Sequence, residues 1–164
     1  MWWAVQEIMK CAFLVLTATA VSITTPTPIL ADDYLDRARI QQLLSVQQLL
    51  YNDKFYEADS LTKTMIAQYP DNPAGYLFGA VTLITMMFDR EDNLYPEEFN
   101  RLIDSARSKA SIIGDTASNC TRAWMCLFQG HAEAYRSLWE SRFGTRVTVI
   151  KKGRRAKKEY ERGL

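Results

Sequence analysis

The chain has 164 residues, 48% of them apolar and 24% charged, which is enough material for one domain with a core and excludes a disordered or fibrous polymer. Its formal net charge of +1 averages over an uneven distribution. Residues 32–144 hold 16 acids and 11 bases, a net of −5, whereas residues 145–164 hold 8 bases and 2 acids, a net of +6. The body is acidic and the tail basic.

Residues 1–31 read as an export signal. Cys11 to Ile23 is an uncharged apolar run of 13 residues, short of the roughly 18–20 that a spanning helix needs and suited to a signal-peptide core. Pro26 and Pro28 follow, and Ala31 offers a small residue for a peptidase just before Asp32 and Asp33. The piece ahead of the run carries Glu7, which a signal does not favour. A start at Met9 would give "MKCAFLVL", a lysine leading straight into the apolar run. Two other readings of this segment stay open: a buried core helix, and an uncleaved membrane anchor. The signal implies a periplasmic or secreted protein, the anchor a membrane-attached one.

From Asp33 onward, apolar residues recur at helical spacing. The first helix carries Leu35, Ile40, Leu43, Leu44 and Leu50 and closes at "YND". A second runs from Phe55 through Ala58, Leu61, Met65 and Ile66 to Tyr69, stopped by Pro70. Asn72 is placed to cap the third and Pro73 to open it, because proline lacks the N–H that a first-turn position leaves unpaired anyway. This third helix, "AGYLFGAVTLITMMF", is apolar nearly all round. It must be covered on both sides, so it belongs in the middle of a stack, and it hints at cover from outside the chain.

Pro96, Glu97 and Glu98 start a fourth helix, the acids opposing the positive end of its dipole, and Gly114 ends it. Thr116 is the expected cap of a long fifth helix, striped by Trp124, Leu127, Phe128, His131, Tyr135 and Leu138 as far as Gly144. Thr145 starts the sixth, with Val149, Gly153, Ala156, Tyr160 and Leu164 on its apolar side. "RVTVI" is the one stretch with strand character, and helix is the preferred reading. Cys120 and Cys126 fall six residues apart on the fifth helix, about 9 Å along its axis. That is beyond disulfide reach, and both read as small buried hydrophobes.

The even-numbered helices share a pattern: Ala58, Thr62, Met65; then Ala106, Ala110, Ile113; then Ala156, Tyr160, Gly163. The alanines lie 48 and 50 residues apart, and a small residue there lets one helix nestle against the one before it. The predicted fold is therefore all-α: about three stacked helical hairpins over residues 32–164, ending in a basic helix over 145–164. "YEADSLTKTMIAQYP", with its small Ala58 and its Pro70 twelve residues later, resembles the second helix of a tetratricopeptide repeat. It departs from that family at Thr62 and Met65, and the units here are longer than the family period of about 34 residues. The resemblance covers residues 39–164 and is specific in the first unit. It implies an α-solenoid that holds other proteins, of the exported bacterial type. In such proteins the array normally continues, which raises the expectation of a truncated chain.

The sequence presents no grouping of polar residues that points to a reaction. His131 is the single histidine, and its place on an apolar stripe suits a core or groove histidine bonded to a neighbour. A C-x5-C spacing is not a zinc pattern. Glu97 and Glu98 point to different sides of a helix, and neither phosphate-loop motif occurs. The expectation is a non-catalytic protein with no cofactor and no metal: a protein–protein interaction scaffold of the bacterial cell envelope, its protein or peptide partner unidentified. Gln41, Gln42, Gln47 and Gln48, on the polar side of the first helix, are candidates for a partner groove, although surface glutamines need no such role.

The strongest charge signal is "KKGRRAKK". On a helix, Lys151, Arg154, Arg155 and Lys158 share one face opposite the Val149, Ala156 and Tyr160 stripe, with Lys152 and Lys157 flanking it. Three readings compete. One is a solvated outer face, another a strip contacting an anionic membrane surface or polysaccharide, and the third nucleic acid, which an exported protein would not meet. The second supplies the alternative function, an envelope-surface protein that binds anionic lipid or polysaccharide through this helix.

Overall fold

The structure, a computed structural model, describes residues 36–163. The proposed signal segment over 1–31 lies outside the described residues. Six helices follow in order: α1 (Arg37–Tyr51), α2 (Phe55–Gln68), α3 (Pro73–Asp89), α4 (Pro96–Gly114), α5 (Asn119–Phe143) and α6 (Arg146–Arg162). No strand occurs among the described residues, and "RVTVI" is the opening of α6. The fold is all-α.

Local chemistry sets the boundaries. Asp36 caps α1 by accepting from the Arg39 N–H at 2.8 Å, and Asn72 caps α3 by accepting from the Ala74 N–H at 2.9 Å with Pro73 next to it. Such caps satisfy amide groups that a helix start leaves open. Between α1 and α2 the chain turns through Asp53, and after α3 through Glu91, both left-handed with φ of 56° and 53°. Ser118, not Thr116, caps α5. The Thr116 N–H is already used by the Ile113 carbonyl at 3.3 Å, so this residue still belongs to the turn leaving α4.

Each helix packs against its neighbours in the chain; in addition α1 packs on α3 and α3 on α5, while the backbones of the even-numbered helices stay apart from one another. The result is a stack of helical hairpins. The odd-numbered helices form a continuous row through it. α3 meets α1, α2, α4 and α5, which is why its apolar residues can run all round. Leu77, Ala80, Leu83, Ile84, Met86 and Met87 are buried, and full burial of one such aliphatic side chain is worth about 1.5–3 kcal/mol. The cover that its sequence called for comes from within the chain.

Small residues set the helix separations. A Cβ on Gly75 would sit 3.2 Å from Ile66 of α2, and one on Gly79 would sit 3.3 Å from Leu102 of α4. Ala58, Ala106 and Ala156, one on each even-numbered helix, are all buried. Aromatic pairs close the seams toward α5: Phe99 of α4 stacks on Trp139, and Phe88 of α3 meets Phe143 edge-on, each with centroids 5.9 Å apart. Offset and edge-on arrangements are the favourable ones for such rings. The Trp139 indole N–H also donates to Asn93 at 3.0 Å, tying down the α3–α4 loop.

Candidate functional site

Three features stand out on this scaffold: the outer face of α6, the charged contact beneath it, and the open face of α1. α6 begins at Thr145, whose hydroxyl caps the Thr148 N–H. Its inner side buries Ala156 and half-buries Val149 and Tyr160. The opposite side carries Lys151, Arg154, Arg155 and Lys158, all exposed, on one face as the helical spacing predicts. Among the described residues none of the four has an acidic partner, whereas Lys157 pairs with Glu161 at 3.6 Å and Arg162 with Glu159 at 2.6 Å. Two aliphatic residues that sequence reasoning left out share this side. Val147 is 76% exposed and Ile150 is 57% exposed. Their signal was available: Val147 stands four residues before Lys151, and Ile150 four before Arg154, which is one helical turn.

Lys152 departs from the basic strip and turns inward. Its ammonium lies 3.8 Å from Glu133 of α5, which is only 1% exposed, and Arg107 of α4 approaches the other oxygen of that carboxylate at 3.0 Å. These are ion pairs by distance, but no hydrogen bond of good angle reaches either Glu133 oxygen. Burial lowers the pKa of Lys152; Glu133 raises it, and Arg136, Arg155 and Arg107 lower it. Arg136 is itself buried, pairs with Asp104 at 2.9 Å and donates to the Asn100 carbonyl at 3.2 Å. The cluster joins α4, α5 and α6 through charge. Sequence patterning missed it because its members come from three helices and no one helix shows the grouping.

Two residues before Glu133 on α5, His131 Nδ1 lies 2.6 Å from the Tyr160 hydroxyl of α6. Burial holds the imidazole at a pKa of about 4 and pushes the Tyr160 phenol well above its ordinary value. Both are neutral near pH 7, so one proton is shared between them. The hydroxyl donates if the imidazole carries its hydrogen on Nε2, and accepts if on Nδ1. The Tyr160 ring rests directly on Gly130, where any Cβ would overlap it. His131 also meets Tyr135 edge-on at 6.4 Å. Burial, with Tyr51 adding to it, pushes the Tyr135 hydroxyl up to about 12.

On the open face of α1, Leu44 is 38% exposed and Tyr51 48% exposed, seven residues apart and so nearly in line. Gln41 and Gln48 are exposed beside them and Gln47 is half-buried. Gln42 departs from this group, donating to Gln68 of α2 at 3.0 Å. Of the two cysteines on α5, Cys126 is buried as expected, but Cys120 is exposed in its first turn. No group of three or more His, Cys, Asp or Glu side chains is placed to hold a metal ion among the described residues. No helix among them is long and apolar enough to cross a membrane. No protein-family model, no curated protein and no solved structure matches this chain.

Proposed function

We propose that this protein is a non-catalytic interaction module of the bacterial cell envelope, built from tetratricopeptide-like helical hairpins, that holds another protein along the open side of its odd-numbered helices. One observation carries the reading: the face of α1 presents Leu44 and Tyr51, both partly exposed, in a line among Gln41, Gln47 and Gln48. An apolar line bordered by adaptable amide groups suits a partner helix or an extended peptide. The envelope location rests on the signal-like segment over residues 1–31, with cleavage after Ala31.

A photo-crosslinker placed at Gln48 tests the binding face, with one at Ala67 on α2 as control. The reading expects a discrete protein adduct from Gln48 that Leu44→Asp or Tyr51→Asp abolishes, and none from Ala67. Equal labelling from both positions, or no adduct sensitive to the α1 substitutions, would overturn it. The location has its own test. The mature chain is expected to begin at Asp32 and to fractionate with the envelope; an uncleaved chain in the cytoplasmic fraction rules it out.

A further inference from the structure

We propose that the outer face of α6 docks on an anionic lipid bilayer, lying flat in its headgroup layer. This goes beyond the protein-holding role of α1 and does not depend on it. Val147, Lys151, Arg154 and Lys158 stand at i, i+4, i+7 and i+11, one continuous line along the helix, with Arg155 and Ile150 on either side of it. The four cations are exposed and have no acidic partner among the described residues, although Lys157 and Arg162 pair with acids of the same helix and Lys152 with Glu133 of α5. Selective pairing of this kind leaves a positive face whose complement is an anionic surface.

The two aliphatic side chains decide between anionic surfaces. A soluble polyanion offers Val147 and Ile150 nothing, since both would stay in water. At a bilayer the same residues enter the boundary between headgroups and acyl chains while the lysines and arginines reach the phosphates, as in interfacial amphipathic helices. The face is also presented without rearrangement. Lys152 to Glu133, Tyr160 to His131 and the Ser137 hydroxyl to the Val149 carbonyl at 3.0 Å hold the inner side of α6 on the body. The acidic charge of residues 32–144 makes the contact one-sided, so the protein would approach such a membrane α6 first.

Co-sedimentation with vesicles tests this directly. Vesicles of equal parts phosphatidylglycerol and phosphatidylcholine are expected to retain the protein, and pure phosphatidylcholine vesicles are not. Binding should vanish as ionic strength rises from about 0.1 M to about 1 M, where the screening length falls from about 10 Å to about 3 Å. Each cation removed should weaken partitioning about fivefold, so Arg154→Ser with Lys158→Ser should cost about 25-fold. Val147→Ser with Ile150→Ser should weaken vesicle binding several-fold while leaving binding to dextran sulfate unchanged. Failure to bind anionic vesicles at low salt overturns the proposal. So does tight dextran sulfate binding combined with vesicle binding that ignores the aliphatic pair, which would make the face a polyanion site. All of these residues are exposed, and a circular dichroism spectrum matching the parent shows that each variant is folded.

Discussion

α3 and α6 are both 17 residues long, yet α3 buries twelve of its residues and α6 one. α3 is held by volume. Its side chains fill the space between four other helices, and its glycines let two of them approach closely. α6 packs Ala156 and the Tyr160 ring on one side only and adds latches there: an ion pair to Glu133, a hydroxyl to His131, and the Thr148 hydroxyl donating to Glu140 at 2.7 Å. A hairpin stack thus uses two kinds of adhesive. Apolar packing works for a rod enclosed on every side. At an edge, where half of the rod faces water, polar contacts on the inner side leave the outer side free for charge.

Four changes would break or sharpen this contrast. Leu77→Ala in α3 removes a fully buried side chain and should cost about 2–5 kcal/mol of unfolding free energy, read from urea titrations. A loss below about 1 kcal/mol would mean that α3 is not close-packed. The next effect is one of pH on the α6 latch. The His131 imidazole has its pKa lowered to about 4 by burial, below its ordinary value of about 6.5. The unfolded chain therefore takes up this proton first as pH falls. Stability is fully present above about 6.5 and drains away toward about 4, by up to about 3 kcal/mol. His131→Gln should flatten that part of the pH profile, and parallel profiles for parent and variant would refute the assignment.

Glu133→Gln comes third. It leaves Arg107 and Lys152 without their shared carboxylate, at about 1–3 kcal/mol. The cost stays below that of a fully enclosed pair because Arg107 is partly exposed and can turn to water. Adding Lys152→Met should recover part of the loss, and a double-mutant cycle with no coupling would show that the three groups act separately. The smallest effect belongs to Val147→Ser and Ile150→Ser. Both should change stability by no more than about 0.5 kcal/mol, so that any loss of vesicle binding reports contact and not folding.

Much of the architecture could be read beforehand because the punctuation is local. Pro70, Asn72, Pro73, Pro96 and Thr145 act on amides within a few residues of themselves, and the stripe on α5 repeats at the helical period. The even-numbered alanines announced close packing for the same reason. The misses were matters of position and of what lies opposite. Thr116 is a good capping residue, but it stands three residues before the start of α5, and Ser118, next to that start, takes the cap. Cys120 has the character of a buried residue but faces outward in the first turn of α5. Glu133 looks like an ordinary surface acid, and its burial depends on cations carried by two other helices.

The order of packing bears on how the chain reaches its shape. Every helix rests on partners one or two steps away along the backbone, so no distant segment must be found before the first hairpin closes. Such low contact order belongs to the rapid end of folding. A chain leaving the ribosome can settle one hairpin at a time, the α6 latch closing once the helix it rests on has formed.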